Sequence, residues 1–149
     1  MSESLARLDE LLATQPLAVL ATSHDGAPYA SLVAVAPEGH THVYFATPRA
    51  TRKWGNVTAE PRVALMIDDR SNQAADFHAG AAATGMGRAI ECCEDDVDAG
   101  RQALLRRHPH LGGFLTSPST VIARVDVERW YVVTRFQSVD CITPGGATR

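Results

Sequence analysis

Three strand patterns follow one another between Pro16 and Pro48 with only turn residues between them. Leu17–Thr22 is an apolar run, Tyr29–Ala36 a second, and Thr41–Thr47 a third. The links are Ser23-His24-Asp25-Gly26, where Asp-Gly is a strong hairpin signal, and Pro37-Glu38-Gly39-His40. Connections this short cannot carry a crossover, which a parallel pair requires. The first third of the chain is therefore expected to be an antiparallel meander.

The remaining elements extend this plan. Ahead of the meander, Leu5, Leu8, Leu11 and Leu12 form one apolar helical stripe, which Ser2 or Ser4 caps and Pro16 ends. After Pro48, residues Arg49–Glu60 read as a helix that buries Trp54 and Val57, and Arg62–Asp68 reads as a fourth strand. Asp69–Ala79 is polar and reads as a loop. Ala81–Cys92 is a strand of small residues whose Gly85 and Gly87 signal a bulge or a close backbone approach. Glu94–Arg107 is a helix with an acidic start and a basic end, as the helix dipole favours. His108–Thr116 adds a short helical turn. Thr120–Val127 and Trp130–Val139 are two closing strands, and 143–149 is a flexible tail. The expectation is one domain over 1–149 with an N-terminal helix at 1–15. Its class is mainly β with helices (α+β), a six- to seven-stranded antiparallel split β-barrel.

Composition narrows the partners. The chain has 149 residues, 45% hydrophobic and 21% charged, and a net charge of -3. Those values are globular rather than disordered or fibrous, and the net acidity argues against general nucleic-acid binding. The longest apolar run, Leu17–Ala21, is far short of the roughly 20 residues of a membrane span. The first fifteen residues carry three acids and one arginine, unlike a secretory signal, so a cytoplasmic location is expected. Cys92, Cys93 and Cys141 form no CxxC pair and read as ordinary thiols, without a metal. His40 with His42, and His108 with His110, lack the further ligands a metal needs and read as surface residues.

One stretch carries chemistry. In Phe45-Ala46-Thr47-Pro48-Arg49-Ala50-Thr51-Arg52-Lys53-Trp54, a strand ends in small and hydroxylated residues and a helix opens on Arg and Lys. Cations in a first helical turn oppose the helix dipole. A bound anion, phosphate above all, reverses that penalty, because the first-turn N–H groups and both cations then converge on it. A solvated basic face is the alternative.

The same residues carry a resemblance. The ordered set Ala18-Val19-Leu20-Ala21-Thr22, Asp25-Gly26, Pro28-Tyr29-Ala30-Ser31-Leu32-Val33, Tyr44-Phe45-Ala46-Thr47, Thr51-Arg52-Lys53, Asn56-Val57 and Glu60-Pro61-Arg62-Val63-Ala64-Leu65 resembles the pyridoxamine 5′-phosphate oxidase-like family of FMN-binding split β-barrels. It continues more loosely through Gly85-Met86-Gly87-Arg88-Ala89 and the last strands. The resemblance implies a flavin-dependent oxidoreductase that holds FMN in a groove between two subunits of a homodimer and acts on a small molecule. By match to the family's motifs, the backbone of Ala30, Ser31, Leu32 and Val33 lies along the flavin. Ala46 and Thr47 sit by the ribityl and phosphate region, and Arg52 and Lys53 hold the phosphate. Trp130 or Phe136 would meet the ring system, with Arg135 or Gln137 on a polar edge. Ordinary core and dimer packing is the other role for that last strand.

The vitamin B6 oxidases of the family end in a segment with an arginine and a histidine that hold substrate phosphate, and 142–149 contains no counterpart. B6 oxidation itself is therefore not implied. A deazaflavin, haem, or a flavin-binding regulatory or stress module without catalysis are the other outcomes on the same barrel. No catalytic acid or base is assigned, since a flavin carries its own chemistry.

Overall fold

The structure is a computed structural model, and it describes residues 2–135, 138–145 and 147–148. Its elements in chain order are α1 (Ser2–Thr14), β1 (Leu17–His24), β2 (Ala27–Glu38), β3 (His42–Pro48), α2 (Arg52–Ala59), β4 (Arg62–Asp68), α3 (Asp76–Ala79), β5 (Ala82–Glu91), α4 (Asp95–Arg107), a 3-10 turn (Pro109–Leu111), α5 (Gly112–Thr116), β6 (Thr120–Arg135), β7 (Ser138–Thr143) and β8 (Ala147–Thr148). The strands form one antiparallel sheet in the order β3-β2-β1-β4-β5-β6-β7-β8. A further pairing of β3 with β6 closes the first six into a ring.

The β1–β2 hairpin forms as its sequence signal demands. Asp25 and Gly26 adopt φ of 51° and 81°, the pair of positive values a two-residue primed turn requires. The register that follows, Leu17↔Ala34 through His24↔Ala27, turns Leu20, Val33 and Val35 into the ring. They meet inward residues of the other strands, among them Phe45, Leu65, Ile67, Ala83, Val125 and Trp130. Leu8, Leu11 and Leu12 of α1, and Trp54 and Val57 of α2, join the same core, so the helices close its two ends. Ser4 does not cap α1; it is buried and its hydroxyl donates to the Asp140 carboxylate. A second cluster outside the ring packs Leu104 of α4 and Leu115 of α5 on Tyr44 and Ile122.

Four expectations are corrected. The two closing strands are one: β6 runs unbroken from Thr120 to Arg135. Glu128 is the extra residue of a bulge, since Gly87 pairs with Val127 and Met86 with Arg129. Gly87 is required there, because a Cβ would lie 2.0 Å from the Asp126 carbonyl oxygen. The Asp69–Ala79 loop contains the one-turn helix α3, whose Asp76 carboxylate accepts from the Ser71 and Asn72 N–H groups. His108 is not on the surface; it is buried, and its Nε2 pairs with the Val35 carbonyl oxygen at 2.8 Å. Residues 143–149, read from sequence as a tail, include β8 paired with β7.

One edge of β6 is shared between two partners. Its first half, Thr120–Asp126, pairs with β3, and its second half, from Trp130, pairs with β7. At the split, the Val127 N–H donates to Thr41 and the Trp130 indole N–H to the His40 carbonyl, at 2.8 and 2.9 Å. No helix among the described residues is long and apolar enough to cross a membrane.

Candidate functional site

The pairing of β2 with β3 runs only from Glu38↔His42 to Val35↔Phe45. Beyond it the strands part, and residues 27–34 of β2 keep β1 on one side and no strand on the other. Such an edge presents free N–H and C=O groups. Val33 and Thr47, two positions further along each strand, flank the opening, and α2 starts beside it.

Helix α2 is fixed against the hairpin through one face. Thr51 caps it, its Oγ1 accepting from the Trp54 N–H at 3.3 Å. Thr47 is buried, and its hydroxyl lies 3.1 Å from that of Thr51, which ties the end of β3 to the cap. Asn56 Nδ2 donates to Thr22 Oγ1 of β1 at 3.0 Å. Arg52, one helical turn earlier on that face, has its guanidinium carbon 5.6 Å from the centroid of the Tyr29 ring. Between helix and hairpin lies an open cleft of about 450 Å³, lined by His24, Pro28, Tyr29, Arg52, Gly55 and Asn56. That volume is in the range of small-molecule and cofactor sites.

The three cations of this stretch differ in what they face. Arg49 is neutralised: it makes a two-pronged pair with Glu91, at 3.0 and 2.7 Å, which holds the Glu91 carboxyl below its ordinary range. Arg52 meets only the Tyr29 ring, and Lys53 makes no hydrogen bond or ion pair among the described residues. The first turn of α2 holds no acidic residue. Two uncompensated cations thus sit where the helix dipole is also positive, which is unfavourable unless an anion joins them. Ser31, on the inward face of β2 two residues beyond Tyr29, has a buried hydroxyl with no hydrogen-bond partner among the described residues. Ser31 is not among the residues that line the cleft, and its hydroxyl is a buried polar group of the kind that ordinarily finds a partner.

The expected site residues do not all share the opening. Ser31, Val33, Ala46, Thr47, Arg52 and Lys53 border the opening or its helix. Ala30 and Leu32 belong to the same strand but point outward, and Leu32 is 62% exposed. Trp130 is fully buried beneath Gly85, where a Cβ would come within 2.9 Å of its ring. It therefore serves the core, and offers no face to a ligand. Arg135 pairs with Glu3 at 3.0 Å and lines a separate cleft with Asp68, Asp69 and Asp76, at the opposite end of β1 from Tyr29. Thr22 and Leu17 mark those ends, five residues or about 17 Å apart, so one chain does not bring Arg135 to Arg52. Gln137 and Phe136 lie outside the described residues. The sequence reading missed Tyr29 and Thr22 as hairpin partners of Arg52 and Asn56 on α2; an aromatic residue beside a turn and the i, i+4 spacing of Arg52 and Asn56 were the available signals.

The outer face of the sheet carries an apolar band, which Arg129 on β6 borders opposite Met86. The register aligns Leu32, Val19, Met66, Thr84, Tyr131 and Cys141 in a single row over six strands. Ala30, Ala21, Ala64 and Met86 form the row beside it. Among the described residues no group of three His, Cys, Asp or Glu side chains is placed to hold a metal ion.

A ring of six strands split along β6, with a cationic helix start beside a strand edge, defines a split-barrel fold. The chain belongs to the pyridoxamine 5′-phosphate oxidase family, whose model matches residues 5–134. No curated protein matches it. Among solved structures, it is similar to a haem-binding protein of Mycobacterium smegmatis (TM-score 0.81, 22% identity, 89% of this chain and 55% of that one). It is similar also to an FAD-binding protein of Mesorhizobium loti (TM-score 0.68, 20% identity, 87% and 91%) and to General Stress Protein 26 of Bacillus anthracis (TM-score 0.68, 17% identity, 89% and 95%). The chain thus spans about half the length of the mycobacterial protein.

Proposed function

We propose that the chain binds FMN at the opening between β2, β3 and α2, and that it works as a homodimeric flavin-dependent oxidoreductase on a small molecule. What carries this is the pair Arg52 and Lys53: two cations with no counter-charge at a helix start, beside a strand edge with unpaired backbone groups. Arg52 offers a planar fork to a phosphate and Lys53 a point charge. Ser31 Oγ supplies a hydroxyl to a polar group of the cofactor, and the free edge of β2 supplies backbone donors and acceptors to the ring. Bound FMN supplies the hydride or electron transfer, and the chain orients it and limits water. The apolar outer rows, which end at Ala30 and Leu32, support a second copy packed on that face, since patches of this kind mark association surfaces. A partner so placed would bring further groups to the groove, Arg135 among them.

A deazaflavin phosphate suits the same two cations. Haem is a second reading, favoured by the His24 imidazole on the cleft wall and by similarity to a haem-binding protein. A flavin-binding module without catalysis is consistent with similarity to a general stress protein. Titration of the ligand-free protein with FMN, a deazaflavin phosphate and haem separates these. FMN binding at micromolar or lower Kd, followed by reduction with NADH or NADPH, is the expected result. Haem binding with no flavin binding would transfer the site to the second reading, and flavin that no donor reduces would favour the module.

A further inference from the structure

Arg52 is held by an aromatic ring where Arg49, three residues away, is held by a carboxylate. The difference matters for an anion. A carboxylate occupies the fork of the guanidinium and cancels its charge, as Glu91 does for Arg49. A ring attracts the guanidinium through its face and leaves the in-plane N–H groups and the full charge available. The Tyr29 ring lies at 5.6 Å, within the range of such attraction. Tyr29 itself is set by β-structure: it pairs with Thr22, whose hydroxyl receives the Asn56 amide of the same α2 face. Strand and helix are thus locked together at Asn56, and Arg52 is presented one turn away.

We propose that Tyr29 is a positioning residue for anion recognition, restricting the Arg52 side chain to the cleft without neutralising it. The proposal rests on the FMN-phosphate reading of the site. Its tyrosine hydroxyl is dispensable, because the attraction comes from the ring face. The ligand chemistry concerned is a phosphate monoester at the end of a cofactor, so riboflavin, which has the ring and ribityl chain alone, is the control.

The experiment is a fluorescence titration of FMN and riboflavin into wild type, Tyr29→Phe, Tyr29→Leu, Arg52→Ala and the Tyr29→Leu/Arg52→Ala double variant, with thermal unfolding of each. Wild type is expected to prefer FMN over riboflavin. Tyr29→Phe should keep FMN affinity within about twofold, and Tyr29→Leu should weaken it about three- to tenfold while riboflavin is unchanged. In the Arg52→Ala background the leucine substitution should have no further effect on FMN. Equal losses for FMN and riboflavin, or the same leucine effect with and without Arg52, would overturn the role of Tyr29 while leaving the phosphate site standing. Wild-type protein that binds FMN no better than riboflavin would overturn the phosphate reading and this role with it.

Discussion

Removing both cations, Arg52→Ala with Lys53→Ala, separates binding from stability in a way few other roles would. Hydrogen bonds to charged groups contribute about 1.5–3 kcal/mol each, so losing both phosphate partners should cost about 3–6 kcal/mol of FMN binding. At 1.4 kcal/mol per tenfold, Kd rises roughly 10²- to 10⁴-fold. Riboflavin affinity should stay within about threefold. Folding should not be weakened in parallel. Neither side chain has a carboxylate partner among the described residues, so loss of Lys53 should raise stability by roughly 0.3–1 kcal/mol, whereas for Arg52 the lost Tyr29 contact offsets the dipole gain and little net change is expected. Arg49→Ala is the internal control: its fork is already filled by Glu91, so FMN affinity should change little. Fluorescence titration at fixed ionic strength, with urea unfolding of each variant, gives both quantities. Unchanged FMN affinity in the double variant, or equal loss of riboflavin, would refute the assignment of the phosphate to this helix.

Other expectations test the frame around the site. Gly87→Ala places a Cβ on the Asp126 carbonyl at 2.0 Å and should destabilise by roughly 3 kcal/mol, lowering Tm by about 6–12 °C; a Tm within 2 °C of wild type would contradict the bulge packing. Light scattering should give about twice the 16.0 kDa chain mass, and Leu32→Glu, at the β2 end of the apolar outer row, should shift it towards the monomer. Cys93 is exposed, whereas burial pushes the Cys92 thiol up to about 11, so a thiol reagent at pH 8 should modify Cys93 first and Cys92 only on unfolding.

Much of this architecture could be read from the chain because local chemistry decides it. The Asp25-Gly26 turn sets the register of the β1–β2 hairpin, and that register sorts Ser31 and Val33 inward from Ala30 and Leu32 outward. Pro48 and the Thr51 cap place Arg52 and Lys53 at a helix start. Gly85 and Gly87 were legible as close approaches, and both meet β6, one at the Trp130 ring and one at the Asp126 backbone. What sequence could not reveal depends on tertiary neighbours. Glu128 interrupts the alternation of β6, and only its bulge opposite Met86 and Gly87 explains why the strand does not end there. Trp130 carries no local mark of being inside the ring rather than against a ligand. His108 is buried because its nitrogen reaches a carbonyl seventy-three residues away. Arg135 has the composition of a ligand contact but a Glu3 partner at the far end of β1.

The most direct test of where the cofactor lies is amide hydrogen exchange with and without saturating FMN. Slowed exchange along residues 27–34 of β2 and in the first turn of α2 is the expected result, because these carry the N–H groups that strand and helix leave unpaired. Protection confined to the Asp68–Arg135 end, or none on β2 and α2, would contradict the site proposed for this chain.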